Sequence, residues 1–244
     1  MMWLGEMTMS RSGLVFHGAV GTTELHMYHW VKLLTADKGD LVLANAAGNM
    51  VSCRAAVIPP GVPHVQVRGT PTGKAIILPP ESAAGSELAR MASPPDSPEA
   101  WARAGAAVVE QIDNVEHWSK QLLLSPAQSA ALLRHPAVNK ALRLLPSRIQ
   151  EGTVRLRDIS KEVGLSESRF AHLFSAQVGM AFRPYVRCLR VTRAVELVVQ
   201  GHSLTDAAHE AKFADSSHLN RACHLSLGIA PTVLTSRFHI TLEA

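Results

Sequence analysis

The chain has 244 residues, 47% of them hydrophobic, and its 24 basic and 20 acidic side chains give a formal net charge of +4. This length is enough for two domains of ordinary size. No run of about 18 uncharged apolar residues occurs, and the first residues lack the apolar stretch of a secretory signal, so we expect neither a membrane-spanning helix nor export. The three scattered cysteines, Cys53, Cys188 and Cys223, favour reduced thiols in a cytoplasmic protein over a disulfide framework.

Short apolar runs of strand type occupy residues 12 to about 80. Turn signals such as Gly39-Asp40 and Gly48-Asn49 separate them. Several short strands between regular turns predict an antiparallel sandwich or barrel. The runs cover residues 14–16, 25–31, 41–43, 55–58, 65–67 and 75–78.

Histidines in this region resemble part of a metal-site pattern. Residues 58–64, IPPGVPH, resemble the second signature of cupin jelly rolls, and His26 with His29 ahead of Gly39 resembles a degraded first signature. The cupin metal site uses three histidines and a glutamate. Here the odd spacing of His26 and His29 points them to opposite faces of a strand, and no glutamate follows at a suitable distance. We therefore predict no metal and no cofactor, and we assign His26, His29 and His64 to a candidate effector pocket.

Helical segments follow a boundary rich in Ser, Ala and Pro at residues 81–98. Ser97 and Pro98 start a helix whose apolar stripe includes Trp101, Ala104 and Val108, although Gly105 interrupts the pattern. A second helix is predicted after Ser125, through Ala130 and Leu133. Another begins after Pro136, with Val138, Leu142 and Leu145 on its apolar face.

Two similar segments then follow, each with the pattern of two helices joined by a short turn. In residues 156–179, Gly164 is expected to supply the positive φ of the turn and Ser166 to cap the second helix. Residues 204–228 repeat the same plan about 48 residues later. An internal repeat of this kind predicts two helix-turn-helix units.

The helix between the two units, residues 182–200, is apolar around most of its circumference, which predicts burial on several sides. The exception is a narrow basic stripe of Arg183, Arg187 and Arg190. Residues 136–244 carry fourteen basic and nine acidic side chains, whereas residues 1–135 have a net charge of −1. The basic character of this half is consistent with a nucleic-acid partner.

The two units and their shared helix resemble the DNA-binding domain of the AraC family of bacterial transcription regulators, over about residues 138–238. Lys212 stands where the family usually has glycine, and Cys223 replaces a usual phenylalanine. The motifs that carry the resemblance are Asp158-Ile159, Val163-Gly164-Leu165-Ser166, Phe170 with Leu173-Phe174, Gly179-Met180, Phe182 with Tyr185, Leu189-Arg190, Arg193-Ala194, Phe213-Ala214-Asp215, Ser217-His218-Leu219, Arg221-Ala222 and Gly228-Ile229-Ala230-Pro231.

The resemblance implies which side chains meet DNA. Base-reading positions fall on Ser168, Ala171, His172, Ser216, Ser217, Asn220 and Arg221. The basic stripe of Arg183, Arg187 and Arg190, assisted by Arg169, is expected to contact phosphates. Amide and guanidinium groups suit adenine and guanine, and short side chains can approach base edges in a major groove. The two reading helices are expected to enter consecutive major grooves about 34 Å apart.

The expected fold is an α+β multidomain chain. It comprises a cupin-like β-barrel or jelly roll at residues 1–82, linker and connecting helices at 83–135, and an all-α AraC-type domain with two helix-turn-helix units at 136–244. In the family, helices at the place of the connecting segment pair across a dimer; packing of their apolar stripe on the chain's own barrel is the alternative.

We predict a sequence-specific DNA-binding transcriptional activator, not an enzyme, whose N-terminal domain senses a small molecule or dimerises. The expected partners are double-stranded DNA, RNA polymerase, an unidentified small-molecule effector and a second copy of the chain, with no membrane. Two alternatives remain: a cupin-type metal-dependent enzyme or sensor with a DNA-binding tail, and a regulator that needs no effector.

Overall fold

A computed structural model describes residues 2–10, 12–111 and 134–242, except for the side chains of residues 234 and 235. The chain forms two compact units. The N-terminal unit consists of Met1–Ala127 together with Thr232–Ala244, and the C-terminal unit consists of Gln128–Pro231. The last residues of the chain therefore belong to the N-terminal unit, and the boundaries proposed at residues 82 and 135 stay predictions.

The described part of the N-terminal unit is built mainly from two β-sheets. The six-stranded sheet has the order β10-β1-β2-β9-β4-β7, and the four-stranded sheet has the order β3-β8-β5-β6. The strands are β1 (Leu4–Ser10), β2 (Gly13–Val20), β3 (His26–Met27), β4 (Val31–Ala36), β5 (Leu41–Asn45), β6 (Met50–Cys53), β7 (Ala55–Ile58), β8 (Pro63–Arg68), β9 (Thr70–Leu78) and β10 (Phe238–Leu242).

The expected β-rich N-terminal region is confirmed, but its strands extend beyond the apolar runs of the sequence. β1, β6 and β10 were not predicted, and the run at 25–31 contains only β3 and the first residue of β4. β10 pairs in parallel with β1, and the ring of Phe238 meets that of Phe16 edge-on at 5.3 Å. This pairing joins the two ends of the described chain in one sheet.

Two helices follow β9: α1 (Ala83–Met91) and α2 (Pro98–Gln111). The hydroxyl of Ser97 accepts a hydrogen bond from the Ala100 N–H at 3.1 Å, as expected for the predicted helix start. α2 packs closely on β7. A Cβ at Gly105 would lie about 2.4 Å from the backbone of Ala55 and Ala56, so only glycine permits this approach. The stripe of α2 thus packs on its own unit. The helix predicted after Ser125 lies outside the described residues.

The C-terminal unit is helical. α6 contacts α5 and α8, and α3 packs on both α5 and α6. The helices are α3 (Pro136–Glu151), α4 (Leu156–Glu162), α5 (Glu167–Val178), α6 (Phe182–Val199), α7 (Leu204–Glu210) and α8 (Ser216–Leu227); α9 (Pro231–Arg237) leads into β10.

The predicted burial of α6 is confirmed along most of its length. Its buried side chains are Phe182, Tyr185, Val186, Cys188, Val191, Ala194, Val195 and Leu197. Leu189, Val198 and Val199, which the pattern also placed on apolar faces, are only half-buried. α6 is therefore the helix on which both helix-turn-helix units pack. None of the helices in the described part of the chain has the length and hydropathy to cross a bilayer.

Candidate nucleic-acid interface

α4 and α5 form the first helix-turn-helix. Gly164 has a φ of +77°, a conformation that a Cβ disfavours. The turn closes with a hydrogen bond in which the Leu165 N–H donates to the Ser160 carbonyl at 2.9 Å. The hydroxyl of Ser166 then accepts from the Arg169 N–H at 3.4 Å and caps α5. Both the turn glycine and the cap were predicted from the sequence, and both predictions are confirmed.

α7 and α8 form the second helix-turn-helix on the same plan. Lys212 takes the place of the turn glycine with a φ of +64°. The Phe213 N–H donates to the Ala208 carbonyl at 2.8 Å, the equivalent of the first turn's closing bond 48 residues later. The carboxylate of Asp215 caps α8 by accepting from the His218 N–H at 2.7 Å. One extra residue between turn and cap gives α8 an offset of 49 from α5.

α5 and α8 also match in length and in how they end. Each has 12 residues. α5 ends at Gly179 with a φ of +75°, and α8 ends at Gly228 with a φ of +71°; both have the left-handed conformation that commonly closes a helix. The internal repeat therefore extends from sequence to backbone conformation.

The two units differ in the side chains that hold them to α6. In the first, the ring of Phe174 lies between 5.3 and 5.6 Å from those of Phe170, Phe182 and Tyr185. In the second, the equivalent core position is Cys223, which is fully buried. Burial raises the pKa of the Cys223 thiol to about 12, so it behaves as a small apolar side chain rather than a thiolate. The second unit therefore has no aromatic ring at this position, and its Phe213 and His218 rings meet edge-on at 5.3 Å.

The seven predicted base-reading residues all lie on α5 and α8, near the start of each helix. Ser168, Ala171 and His172 are the second, fifth and sixth residues of α5. The second, fifth and sixth residues of α8 are Ser217, Asn220 and Arg221, and Ser216 is its first. Ala171 and Ser216 are half-buried and the other five are exposed. The structure thus gives the two sets equivalent helical positions.

The four predicted phosphate contacts are placed less uniformly. Arg169 and Arg183 are exposed, whereas Arg187 and Arg190 are half-buried. An Nη of Arg190 donates to the Lys212 carbonyl at 3.5 Å, and its Nε is buried without a partner among the described residues. Burial lowers the pKa of Arg190. Arg190 therefore contacts the second turn, a role that the basic stripe did not predict.

Comparison with known proteins agrees with this geometry. A family model described as a helix-turn-helix domain matches residues 159–237. An apo variant of ToxT from Vibrio cholerae is similar over 93% of this chain and 98% of its own, with a TM-score of 0.54 at 11% identity. Wild-type ToxT from the same organism, with an unsaturated fatty acid bound, is similar over 93% of this chain and 96% of its own. Its TM-score is 0.52 at 12% identity. Residues 159–237 are an AraC-type helix-turn-helix domain.

A third solved structure is more similar in sequence over a shorter stretch. It is a transcriptional regulator with an AraC-type DNA-binding domain from Chromobacterium violaceum, 26% identical over 40% of this chain and 87% of its own, with a TM-score of 0.38. No curated protein matches the chain significantly. The likeness to ToxT shows a shared two-domain architecture, in which a β-rich region precedes the AraC-type domain.

Two of the three histidines assigned to an effector pocket come together in the N-terminal unit. His26 and His64 are paired in register between β3 and β8, and their ring centroids are 4.3 Å apart. Each Nδ1 donates to a backbone carbonyl, that of Glu24 at 2.8 Å and that of Val62 at 2.9 Å. Because a carbonyl only accepts, the lone pair of each neutral ring is on Nε2. His29 is buried beyond the end of β3.

A lysine beside these histidines was missed in the sequence. Lys32 is 0% exposed in β4, and its Nζ lies 4.6 Å from the ring centroid of Tyr28 and 5.4 Å from that of Trp3. Its Nζ has no hydrogen-bond partner among the described residues, and burial lowers its pKa to about 7. The Tyr28 ring also contacts His26 at 4.8 Å and His64 at 5.9 Å. The available signal was a lysine inside an otherwise apolar run.

Burial and the neighbouring Lys32 keep both histidines neutral. Burial first, and then the positive charge of Lys32, lower the pKa of His26 to about 4. The same two causes hold the pKa of His64 well below its usual value. In the part of the chain that the structure describes, no three His, Cys, Asp or Glu side chains are placed to hold a metal ion together.

Proposed function

We propose that the protein is a sequence-specific DNA-binding transcriptional activator whose N-terminal unit senses a small molecule. The observation that carries the DNA-binding part is the structural repeat of the AraC-type domain. Two capped 12-residue helices, α5 and α8, carry exposed polar side chains at equivalent positions and pack on one buried helix, α6. Each of the two reading helices can enter one major groove, so the pair suits a duplex in which two short base sequences lie one helical turn apart.

The side chains on α8 supply the stronger base chemistry. Asn220 can pair with the N6 and N7 atoms of adenine, and Arg221 with the O6 and N7 atoms of guanine. On α5, Ser168 and His172 can hydrogen-bond to base edges, and Ala171 suits contact with a thymine methyl group. We therefore expect α8 to contribute more of the sequence preference than α5.

Arg183 and Arg187 are the proposed phosphate contacts on α6, with Arg169 at the start of α5. Phosphate contacts set the affinity and the register of a protein on DNA without reading sequence. Arg190 is the weaker candidate, because its guanidinium already bonds to the second turn.

Effector sensing is supported by the histidine and lysine side chains enclosed in the N-terminal unit. The family resemblance supports three further parts of this proposal. The protein activates transcription through RNA polymerase, it acts as a homodimer on a repeated site, and it is located in the cytoplasm. Chromatin immunoprecipitation followed by transcript analysis of a deletion strain tests activation directly, since bound promoters should lose expression in that strain.

The interface is tested by two substitutions with opposite signatures. Arg221→Ala should relax the preference at one base pair by about 1–3 kcal/mol, because one bidentate base contact is lost. Arg187→Ala should weaken binding to every sequence alike, and lower the slope of log affinity against log salt by about 0.9. Both are measured by fluorescence anisotropy on a selected duplex and its single-base variants.

Arg68→Ala is the matched control, because Arg68 is an exposed arginine on β8 in the other unit and should leave both quantities unchanged. An unchanged salt slope for Arg187→Ala would disprove its phosphate role. Equal losses on all single-base variants for Arg221→Ala would disprove its base contact.

A further inference from the structure

The N-terminal unit encloses several polar atoms that find no hydrogen-bond partner in the described chain. Three of the side chains concerned, Lys32, His64 and Gln66, are 0% exposed. Buried polar groups are nearly always paired, and an unpaired one costs free energy. The atoms are Trp3 Nε1, His26 Nε2, Lys32 Nζ, His64 Nε2 and Gln66 Oε1; we call this set the Lys32 cluster.

Aromatic contacts connect the cluster across the two sheets. Lys32 comes from the six-stranded sheet, whereas His26 and His64 come from the four-stranded sheet. The Tyr28 ring contacts all three side chains. Lys32, His26 and His64 therefore surround the Tyr28 ring, which connects side chains from both sheets.

Gln66 and Trp3 complete the cluster. Gln66 lies two residues after His64 on β8, and both side chains are buried on the same face. The Gln66 amide nitrogen donates to the Gly21 carbonyl, so its amide orientation is set and its Oε1 is left as an acceptor. The Trp3 ring packs against Gly21 and lies beneath the Lys32 ammonium.

The hydrogen-bonding roles of these atoms are determined by their other bonds. Trp3 Nε1 and Lys32 Nζ are donors. The two histidine Nε2 atoms and the Gln66 Oε1 are acceptors, because the opposite ends of those three groups already donate to carbonyls. A complementary molecule must therefore accept at one end and donate at the other.

We infer that the Lys32 cluster binds a small hydroxylated monocarboxylate as the effector, an inference that rests on the proposed sensing function. The carboxylate pairs with Lys32 and accepts from Trp3. Hydroxyl groups of the same molecule donate to His26, His64 and Gln66. The rings of Tyr28 and Trp3 pack against its carbon skeleton.

Other classes of ligand fit these roles less well. A phosphate brings up to two negative charges to one lysine and offers at most two hydroxyl donors to the three acceptors. An unsubstituted fatty acid satisfies Lys32 but leaves three acceptors without donors. A neutral polyol leaves Lys32 without a counterion. Sheets that pack face to face are about 10 Å apart, which limits the ligand to a ring or a short chain.

Titration calorimetry on the full chain tests the class with two matched sets of probes. The first set is gluconate, hexanoate and glucitol; the second is 3,4-dihydroxybenzoate, benzoate and catechol. In at least one set, the hydroxylated acid should bind at least tenfold more tightly than both the bare acid and the neutral polyol or diol. Tight binding of a bare acid, preference for a neutral probe, or no binding of either hydroxylated acid at millimolar concentration would overturn the inference. The last result would leave ordered water as the partner of the cluster.

Substitutions assign the contacts. Lys32→Met should remove the preference for the acid over the neutral probe, and His64→Phe should reduce the preference for the hydroxylated acid over the bare acid. Lys38→Met, which removes an exposed lysine of the same unit, should change neither. Since Lys32→Met removes a buried charge, it should also raise the melting temperature of the unit. If Lys32→Met kept the full preference for the acid, the inference would be wrong.

Proton uptake provides a test that needs no variant. Burial and the Lys32 charge lower the pKa of His26 and of His64, burial raises the pKa of the neighbouring Tyr28, and burial lowers the pKa of Lys32 to about 7. A bound carboxylate favours the ammonium, so at pH 8 binding should take up close to one proton, and at pH 6 almost none. Calorimetry in buffers of different ionisation heat measures this number. Proton release on binding at either pH would contradict the lysine–carboxylate pair, because a carboxylate beside Lys32 can only favour the ammonium.

Failure of this inference can be distinguished from failure of the proposed function. DNA binding by the AraC-type domain is measured separately, without any probe present. If duplex binding holds while no hydroxylated acid binds, the ligand class is wrong and regulation without this effector stands. If duplex binding fails, the proposed function itself is wrong.

Discussion

At the scale of single residues, the second turn contains a backbone conformation that disfavours its side chain. Lys212 has a φ of +64°, and among the described residues it is the non-glycine residue with positive φ. Lys212→Gly should therefore stabilise the second helix-turn-helix by about 1 kcal/mol. The bond that Arg190 donates goes to the backbone carbonyl and survives the change. Hydrogen exchange of the α7 and α8 amides, read by mass spectrometry, measures the effect.

The first turn supplies the matched control. Nothing lies within 4 Å of a Cβ built on Gly164, so Gly164→Ala introduces backbone strain without a clash. We expect it to destabilise α4 and α5 by about 1–2 kcal/mol in the same exchange experiment. Faster exchange for Lys212→Gly, or no change for Gly164→Ala, would show that the two turns do not share one strained conformation.

Some residue roles could be predicted from sequence because they depend on near neighbours. Gly164 and Ser166 act within a few residues of their partners, and their identities indicate a turn and a cap. The role of Lys32 depends on His26 and His64 from a different sheet, which no local pattern contains. The hydrogen bond of Arg190 likewise depends on the Lys212 carbonyl, which lies 22 residues further along the chain in the turn between α7 and α8.

At the scale of elements, α8 is positioned by its cap. Asp215→Ala should destabilise the start of α8 by about 0.5–2 kcal/mol, because the His218 N–H loses its acceptor. Since the cap lies two residues before Ser217, duplex affinity should fall as well. Hydrogen exchange at the His218 and Leu219 amides measures the loss of the cap.

Asp215→Ser is the conservative variant, since a serine hydroxyl can accept the same bond. It should retain most of the protection and most of the duplex affinity that Asp215→Ala loses. Equal behaviour of the serine and alanine variants would show that the cap does not position α8.

The helices could be predicted more fully than the strands. α6 is apolar on most of its circumference, which local periodicity shows directly. β10 was missed because it depends on pairing with a distant part of the chain. β1 pairs with its neighbour β2, and it was missed because its apolar residues alternate with polar ones instead of forming a run. Gly105 was read as an interruption of α2, yet it allows α2 to approach β7, a contact that only the fold reveals.

At the scale of the whole molecule, the chain passes through the helical C-terminal unit and then returns to the six-stranded sheet of the N-terminal unit, where it adds β10. Phe238 of β10 is 7% exposed and packs on Phe16 of β2. The domain predicted at residues 136–244 includes these residues, because a parallel pair more than two hundred residues apart leaves no local signal in the sequence. The stability of the N-terminal unit therefore depends partly on residues that follow the AraC-type domain.

Phe238→Ala should destabilise the N-terminal unit by about 3–5 kcal/mol, the usual cost of truncating a buried phenylalanine. All four tryptophans of the chain precede residue 128, so tryptophan fluorescence in a denaturant titration reports on this unit. His239→Ala, a change at the exposed neighbour on the same strand, should have little effect. Equal midpoints for the two variants would contradict the contribution of β10.

We propose above all that α5 and α8 read one duplex together. In vitro selection of the purified full chain on a library of random duplexes tests it most directly. We predict an enriched motif with two elements whose centres are about 10–11 base pairs apart, one helical turn of DNA. A library in which no sequence is enriched, or a motif with a single element, would contradict the account.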